Sequence, residues 1–163
     1  MKPAEKPPYA TGHDGNFAQV LDQVGAWAET HEFLGEAIPY YYLEFAADHF
    51  SSLIGADLKF PGEGGGWPVH FVDDWNAAGL AFKKDCKWWR RTVELAEVFK
   101  NRFGDNIMIA SPTLVANLDA LVAVRGANEL LLDLMDQPDL VKKALDQVLK
   151  AHGEILDAFS GLF

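Results

Sequence analysis

The chain has one cysteine, Cys86, in 163 residues. A single thiol excludes an internal disulfide and fits a reducing, cytoplasmic setting. Basic residues are scarce: 14 Lys and Arg stand against 24 Asp and Glu, a formal net charge of −10. That balance argues against nucleic acid or anionic membrane as a partner, because both require basic surface. No apolar run approaches membrane-spanning length. The opening "MKPAEKPPYATGHDG" lacks the apolar stretch of a signal peptide. No internal repeat is visible. What is abundant is apolar side chain, 49% of residues. That excludes disorder and suffices for one domain with a packed core.

Residues 1–15 hold three prolines and few apolar side chains, so an irregular arm is expected there, with a single α/β domain over 16–163. Phe17, Val20, Leu21, Val24 and Trp27 recur at helical spacing and predict a helix from Asn16 to Phe33, with Asp14 as its cap. "IPYYYLEF" (Ile38–Phe45) is aromatic-rich and reads as a short strand. "AADHFSSLIG" reads as a short helix closed by Gly55. Ala56–Phe60 alternates as a strand does, "PGEGGG" reads as a flexible loop, and Trp67–Val72 as another strand. After the loop "DDWNAAGLAFKKD", a helix is predicted from about Asp85 to Phe103. "NIMIAS" (Asn106–Ser111) has the composition of a buried parallel strand. Helices near 113–124, 127–136 and 138–160 complete the chain.

The last two helices are separated at "LMDQPDL". Pro138 suits a first helical turn, and Asp136 followed by Asp139 suggests a capping arrangement. The first of these helices has an apolar face of Leu130, Leu131, Leu134 and Met135. The second has Leu140, Val141, Ala144, Leu145, Val148, Leu149, Ile155, Leu156 and Phe159 on one side. Strands alternating with helices indicate an α/β layer or barrel. A closed barrel needs eight strand–helix units and about 250 residues. The expectation is therefore a helix-rich, partial (half) TIM-barrel-like α/β arrangement with a small β excursion.

"IMIASPTLVANLDALVAVRGANELLLDLMDQPDLVKKALDQVLKAHGEILDAF" (Ile107–Phe159) resembles the uroporphyrinogen decarboxylase-like family. The family pattern is a strand ending in a turn, "TL" opening a helix, a glycine, a Leu-Leu-x-Asp-Leu helix, Asp-x-Pro-Glu/Asp-x-Val and a long helix. "SSLIGADLKFPGEGGGWPV" (Ser51–Val69) is similar to the family's Leu-Gly-x-x-Leu-x-Phe segment and glycine-containing loop. "CKWWRRTVEL" (Cys86–Leu95) is similar to sequence in its uncharacterised members. The resemblance implies the N-terminal half of a TIM barrel about twice this length, with decarboxylase or corrinoid-type methyltransferase chemistry at the strand C-terminal ends. It also implies departures. The family's Arg-Gln-Ala-Gly-Arg segment has no counterpart, since the first arginine is Arg90, and the family's catalytic aspartate aligns with Ala46. Uroporphyrinogen decarboxylation by this chain alone is not expected, and no cofactor is assigned.

Glu44 and Asp48 are the carboxylates nearest Ala46. Glu44 ends a strand where TIM barrels place catalytic groups, so it is the candidate general acid/base; the alternative is a solvated carboxylate ahead of a helix. Tyr42, His70 and Asp119 are the candidate substrate-binding residues. His70 could shuttle a proton, or occupy an exposed strand position opposite Val69 and Phe71. Asp119 could face a pocket from an apolar stripe, or face water. The remaining histidines show no shared ligand spacing, so no metal site is assigned. "GEGGG" lacks the Lys-Ser/Thr of a phosphate loop and reads as a lid or hairpin connection. Cys86 reads as a surface thiol, Trp88 and Trp89 as packing residues, and Arg125 as a surface ion-pair partner. The partner expected for a half barrel is a second copy or another chain, through its open strand edges and the apolar end Phe159, Leu162 and Phe163. A small-molecule ligand is expected at the strand ends.

Overall fold

A computed structural model describes residues 2–8, 10–62 and 65–162. It is a mixed α/β, helix-rich structure, and among the described residues no helix is long and apolar enough to cross a membrane. The N-terminal segment lies against the body: the Lys6 ammonium sits 4.2 Å from the Trp27 ring centroid and 3.8 Å from that of Tyr40.

Helix α1 (Ala18–Glu29) buries Val20 and Val24. It is shorter than expected at both ends. Asp14 does not cap it; that carboxylate accepts from the Asn16 N–H at 2.9 Å in a preceding turn, and Phe17 holds the cap position. At the far end the Thr30 hydroxyl donates to Ala26 O at 2.7 Å, and His31 Nδ1 lies 2.7 Å from Trp27 O. Side chains thus take the carbonyls that further helical turns would use.

Strand β1 (Tyr40–Tyr42) leads to helix α2 (His49–Leu53), all five of whose residues are buried. The helix closes as expected at Gly55: its φ is +131°, and the Ala56 N–H reaches back to Ser51 O at 3.0 Å. Strands β2 (Asp57–Gly62) and β3 (Gly65–Val69) form an antiparallel hairpin, Lys59 opposite Trp67 and Gly62 opposite Gly65. Most of the expected "PGEGGG" loop is therefore strand. Small residues let two backbones pair closely there. Glu63 and Gly64 lie outside the described residues.

Helix α3 (Lys87–Phe103) follows, then strand β4 (Met108–Ala110). β4 pairs parallel with β1, placing Tyr40 opposite Met108 and Tyr42 opposite Ala110. One face of this pair is covered, Tyr41 stacking on Phe99 of α3 at 5.5 Å. The other carries Tyr42 and Met108, 41% and 48% exposed. β4 is thus not the fully buried strand its composition suggested, because it has a neighbour on one edge and a helix on one face only. Among the described residues, β1 with β4 and β2 with β3 form two separate two-stranded sheets.

Helices α4 (Asn117–Arg125), α5 (Ala127–Asp136) and α6 (Pro138–Ser160) close the structure. α4 starts later than expected, and the other two match the predicted limits. Asp136 is the last residue of α5 rather than a cap. Gln137 alone separates the helices, and its N–H closes α5 on Asp133 O at 2.8 Å. The α6 face that is buried is Val141, Ala144, Val148, Ala151, Ile155 and Phe159. Leu149 and Leu156 are exposed, as are Leu131, Leu134 and Met135 of α5, which turns only Leu130 and Asp133 inward. The C-terminal end also differs from expectation. Phe159 is buried edge-on to Trp89 at 5.2 Å and Leu162 packs on the core, while Phe163 lies outside the described residues. Phe45, Phe50, Phe99 and Phe159 are the largest fully buried side chains; each such ring contributes about 1.5–3 kcal/mol by leaving water.

Candidate functional site

Parallel pairing brings the chain off β1 and off β4 at the same end. The Leu43 N–H donates to Ala110 O at 3.1 Å, one step beyond the ladder. Glu44 comes next, only 3% exposed, and its Oε2 accepts from the Thr113 N–H at 2.8 Å, in the loop after β4. Burial pushes its carboxyl above the usual range, while Thr113 opposes the shift by hydrogen-bonding the charged form. Tyr41 is raised too, by burial and by the Glu44 charge. A carboxyl that is buried, fixed and raised is a candidate proton donor or acceptor.

Beyond Glu44 the chain turns through Asp48 into α2. Asp48, His70 and Asp119 line one cleft of about 510 Å³ between the hairpin and α4, with Trp67 and Val122 among its walls. A second hollow of about 490 Å³ adjoins it and shares Asp48 and Trp67. Asp48 is raised by burial and by the charge of Asp119. His70 lies just past the end of β3, not within a strand to Val72, and is exposed. The next two N–H groups, of Phe71 and Val72, both donate to Val124 O near the end of α4, at 2.9 and 3.0 Å. The His70 ring rests against Gly126: a Cβ there would lie 3.1 Å from His70 Nδ1 and 2.5 Å from Glu129 Oε2. Gly126 also has φ +103°, so two requirements hold it as glycine.

Of the sequence candidates, His70 and Asp119 share the cleft, and Glu44 lies at the adjacent strand exit. Tyr42 does not line it; its ring meets Tyr40 edge-on at 5.2 Å on the sheet face opposite Tyr41. Among the described residues no group of three or more His, Cys, Asp or Glu side chains is placed to hold a metal ion.

Two further expectations are corrected. Cys86 is half-buried rather than a surface thiol: it caps α3, its Sγ accepting from the Trp89 N–H at 3.3 Å, and burial raises its pKa. Arg125 does not make a surface pair. It grips Asp133 with two nitrogens, Nε–Oδ2 at 2.8 Å and Nη2–Oδ1 at 3.2 Å, and Asp133 is 5% exposed. Sequence reasoning also missed His49, which is fully buried behind the Glu44 segment. No distinct sequence signal marks it, because Asp48, Ser51 and Ser52 are also polar in "AADHFSSLIG".

No family model, curated protein or solved structure matches the chain.

Proposed function

We propose that this chain is a uroporphyrinogen decarboxylase-like protein, corresponding to the N-terminal part of a decarboxylase- or methyltransferase-type TIM barrel and inactive alone. Its ligand would be a small molecule held where β1 and β4 end. The carrying observation is the Glu44–Thr113 hydrogen bond, which joins the exits of two parallel strands through a buried carboxyl with a raised pKa. In a TIM barrel such exits converge on the active site. Glu44 would serve as general acid/base, with Asp48, Asp119 and His70 as ligand contacts. The face bearing the part-exposed Tyr42 and Met108 is what an unclosed barrel interior would present. A cytoplasmic location accompanies this reading. A tetrapyrrole polycarboxylate is not the ligand we propose, since the described residues of the cleft include carboxylates and no arginine.

The test is a fragment screen by amide NMR on the purified chain. Ligands are expected to shift Thr113, Asp119 and His70 together, and Glu44→Gln to weaken them about tenfold or more, the range of one charge-assisted hydrogen bond. Fragments that gather elsewhere and ignore Glu44→Gln would remove the assignment.

A second reading, a non-catalytic interaction module, is favoured by the leucines left in water. Leu131, Leu132 and Met135 on α5 are 63%, 61% and 82% exposed, and Leu149 on α6 is 69%. Apolar area gains about 25 cal/mol per Å² on burial, and open strand edges template pairing. We propose a homodimer as the occupant in this reading. Light scattering is expected to give twice the chain mass, with Leu131→Lys shifting it toward monomer. A monodisperse wild-type monomer that binds no apolar dye would discard the dimer.

A further inference from the structure

The cleft between the hairpin and α4 combines features from three elements. Trp67, on β3, turns its indole to solvent and is 66% exposed. A large aromatic left in water on a concave surface is unusual and forms a ready stacking face. Asp48, from the turn into α2, and Asp119, from the first turn of α4, stand near enough for the charge of one to raise the other. Neither has an ion-pair partner among the described residues. Among the described residues no Lys or Arg lines either this cleft or the hollow that adjoins it through Asp48 and Trp67. Of the remaining walls, Pro68, Val115, Val122 and Ala123 are apolar and His70 is polar.

We propose that this cleft binds an organic ammonium or guanidinium cation carrying an apolar body, with Trp67 stacking on it and Asp48 and Asp119 neutralising it. The inference rests on the reading of the strand exits as the ligand site and adds the chemical class of the ligand. An anion would bring a third negative charge beside two that already repel. A neutral molecule would leave the carboxylates unpaired. A bare metal ion needs a tighter donor set than the described residues supply. An organic cation satisfies carboxylates and indole together, since the ring face attracts positive charge and partial desolvation strengthens both contacts. Its apolar body would lie along Val115 and Val122.

The experiment is a titration of the full chain, by amide NMR and calorimetry, with three probes of one shape: benzylammonium, benzyl alcohol and benzoate. Benzylammonium is expected to bind about tenfold or more tightly than benzyl alcohol, with benzoate weakest, as a desolvated cation–π and carboxylate contact predicts. Asp119→Asn and Trp67→Ala are each expected to weaken benzylammonium about fivefold or more while amide spectra remain folded. High salt is expected to weaken the cation and leave the alcohol unchanged. If the alcohol binds this cleft as tightly as the ammonium, or benzoate binds better, the cation assignment is overturned and the ligand site survives. If none of the three shifts Asp119 or Trp67 at millimolar concentration, the cation assignment and the site reading both fail.

Discussion

Asp133→Asn is expected to lower unfolding free energy by about 3–5 kcal/mol, the range for removing one partner of a buried ion pair. Four donors converge on this one carboxylate. Arg125 supplies Nε and Nη2, Trp75 Nε1 donates at 2.7 Å, and Gln137 Nε2 at 2.9 Å. The same guanidinium turns Nη1 to Val72 O at 3.0 Å and Asp73 O at 2.8 Å. The cluster therefore ties the end of α4, the middle of α5 and the start of α6 to the segment that follows the hairpin. An asparagine has the shape but not the chemistry: it presents two hydrogens where donors already point and leaves the guanidinium without a counter-charge. The pKa shifts agree in direction, Asp133 being lowered by Arg125 and Arg125 being raised by Asp133. A lowered carboxylate contributes stability above its unfolded pKa and loses it as pH falls through the folded one. Urea unfolding followed by circular dichroism measures the loss; a change under 1 kcal/mol would mean the cluster is peripheral. Arg125→Lys is expected to be destabilising too, because an ammonium cannot reproduce the two-pronged contact.

That cluster also marks where sequence reading succeeds and stops. α5 and α6 were legible at their limits because Pro138 fixes a boundary and apolar spacing persists on either side. Their burial was not. Five apolar residues and one aspartate occupy "LLLDLM", and pattern alone assigns the leucines inward. Arg125 reverses this, drawing Asp133 inside while Leu131 and Leu132 stay outside. The same limit applies to "PGEGGG", where glycine suggested a loop but tight cross-strand pairing of Gly62 with Gly65 makes strand. It applies to β1 and β4, whose hydrophobicity is right and whose short ladder depends on having one neighbour each. Glu44 was legible because it ends a predicted strand, where barrels place catalytic groups, next to Ala46. Its hydrogen bond to Thr113, 69 residues away, was not.

His49 is fully buried and its pKa is pushed down to about 4 by burial. Its hydrogen bonds fix the neutral form. Nδ1 accepts from the Phe45 N–H at 3.3 Å, and Nε2 lies 3.2 Å from Thr92 Oγ1, whose own hydroxyl donates to Trp88 O at 2.9 Å. Nδ1 must therefore be bare and Nε2 must carry the proton. Protonating Nδ1 would set two donors, its own N–H and that of Phe45, against each other and bury a charge. The unfolded chain takes up that proton near the ordinary 6.5 and the folded chain does not. Stability is thus full above 6.5 and falls as pH drops from 6.5 to about 4. The loss levels off below that, at about 3 kcal/mol in total. Glu44 and Asp48, raised in the fold, work in the opposite sense, so the His49 contribution must be isolated. His49→Gln does this: its amide oxygen can accept from Phe45 N–H, and it does not titrate in this range. Unfolding free energy measured across the window should fall more steeply for the wild type than for His49→Gln. The His49 ring proton signal should stay unshifted until about pH 4. A ring that titrates near 6.5, or equal slopes in the two proteins, would refute the buried neutral histidine as the source of acid sensitivity.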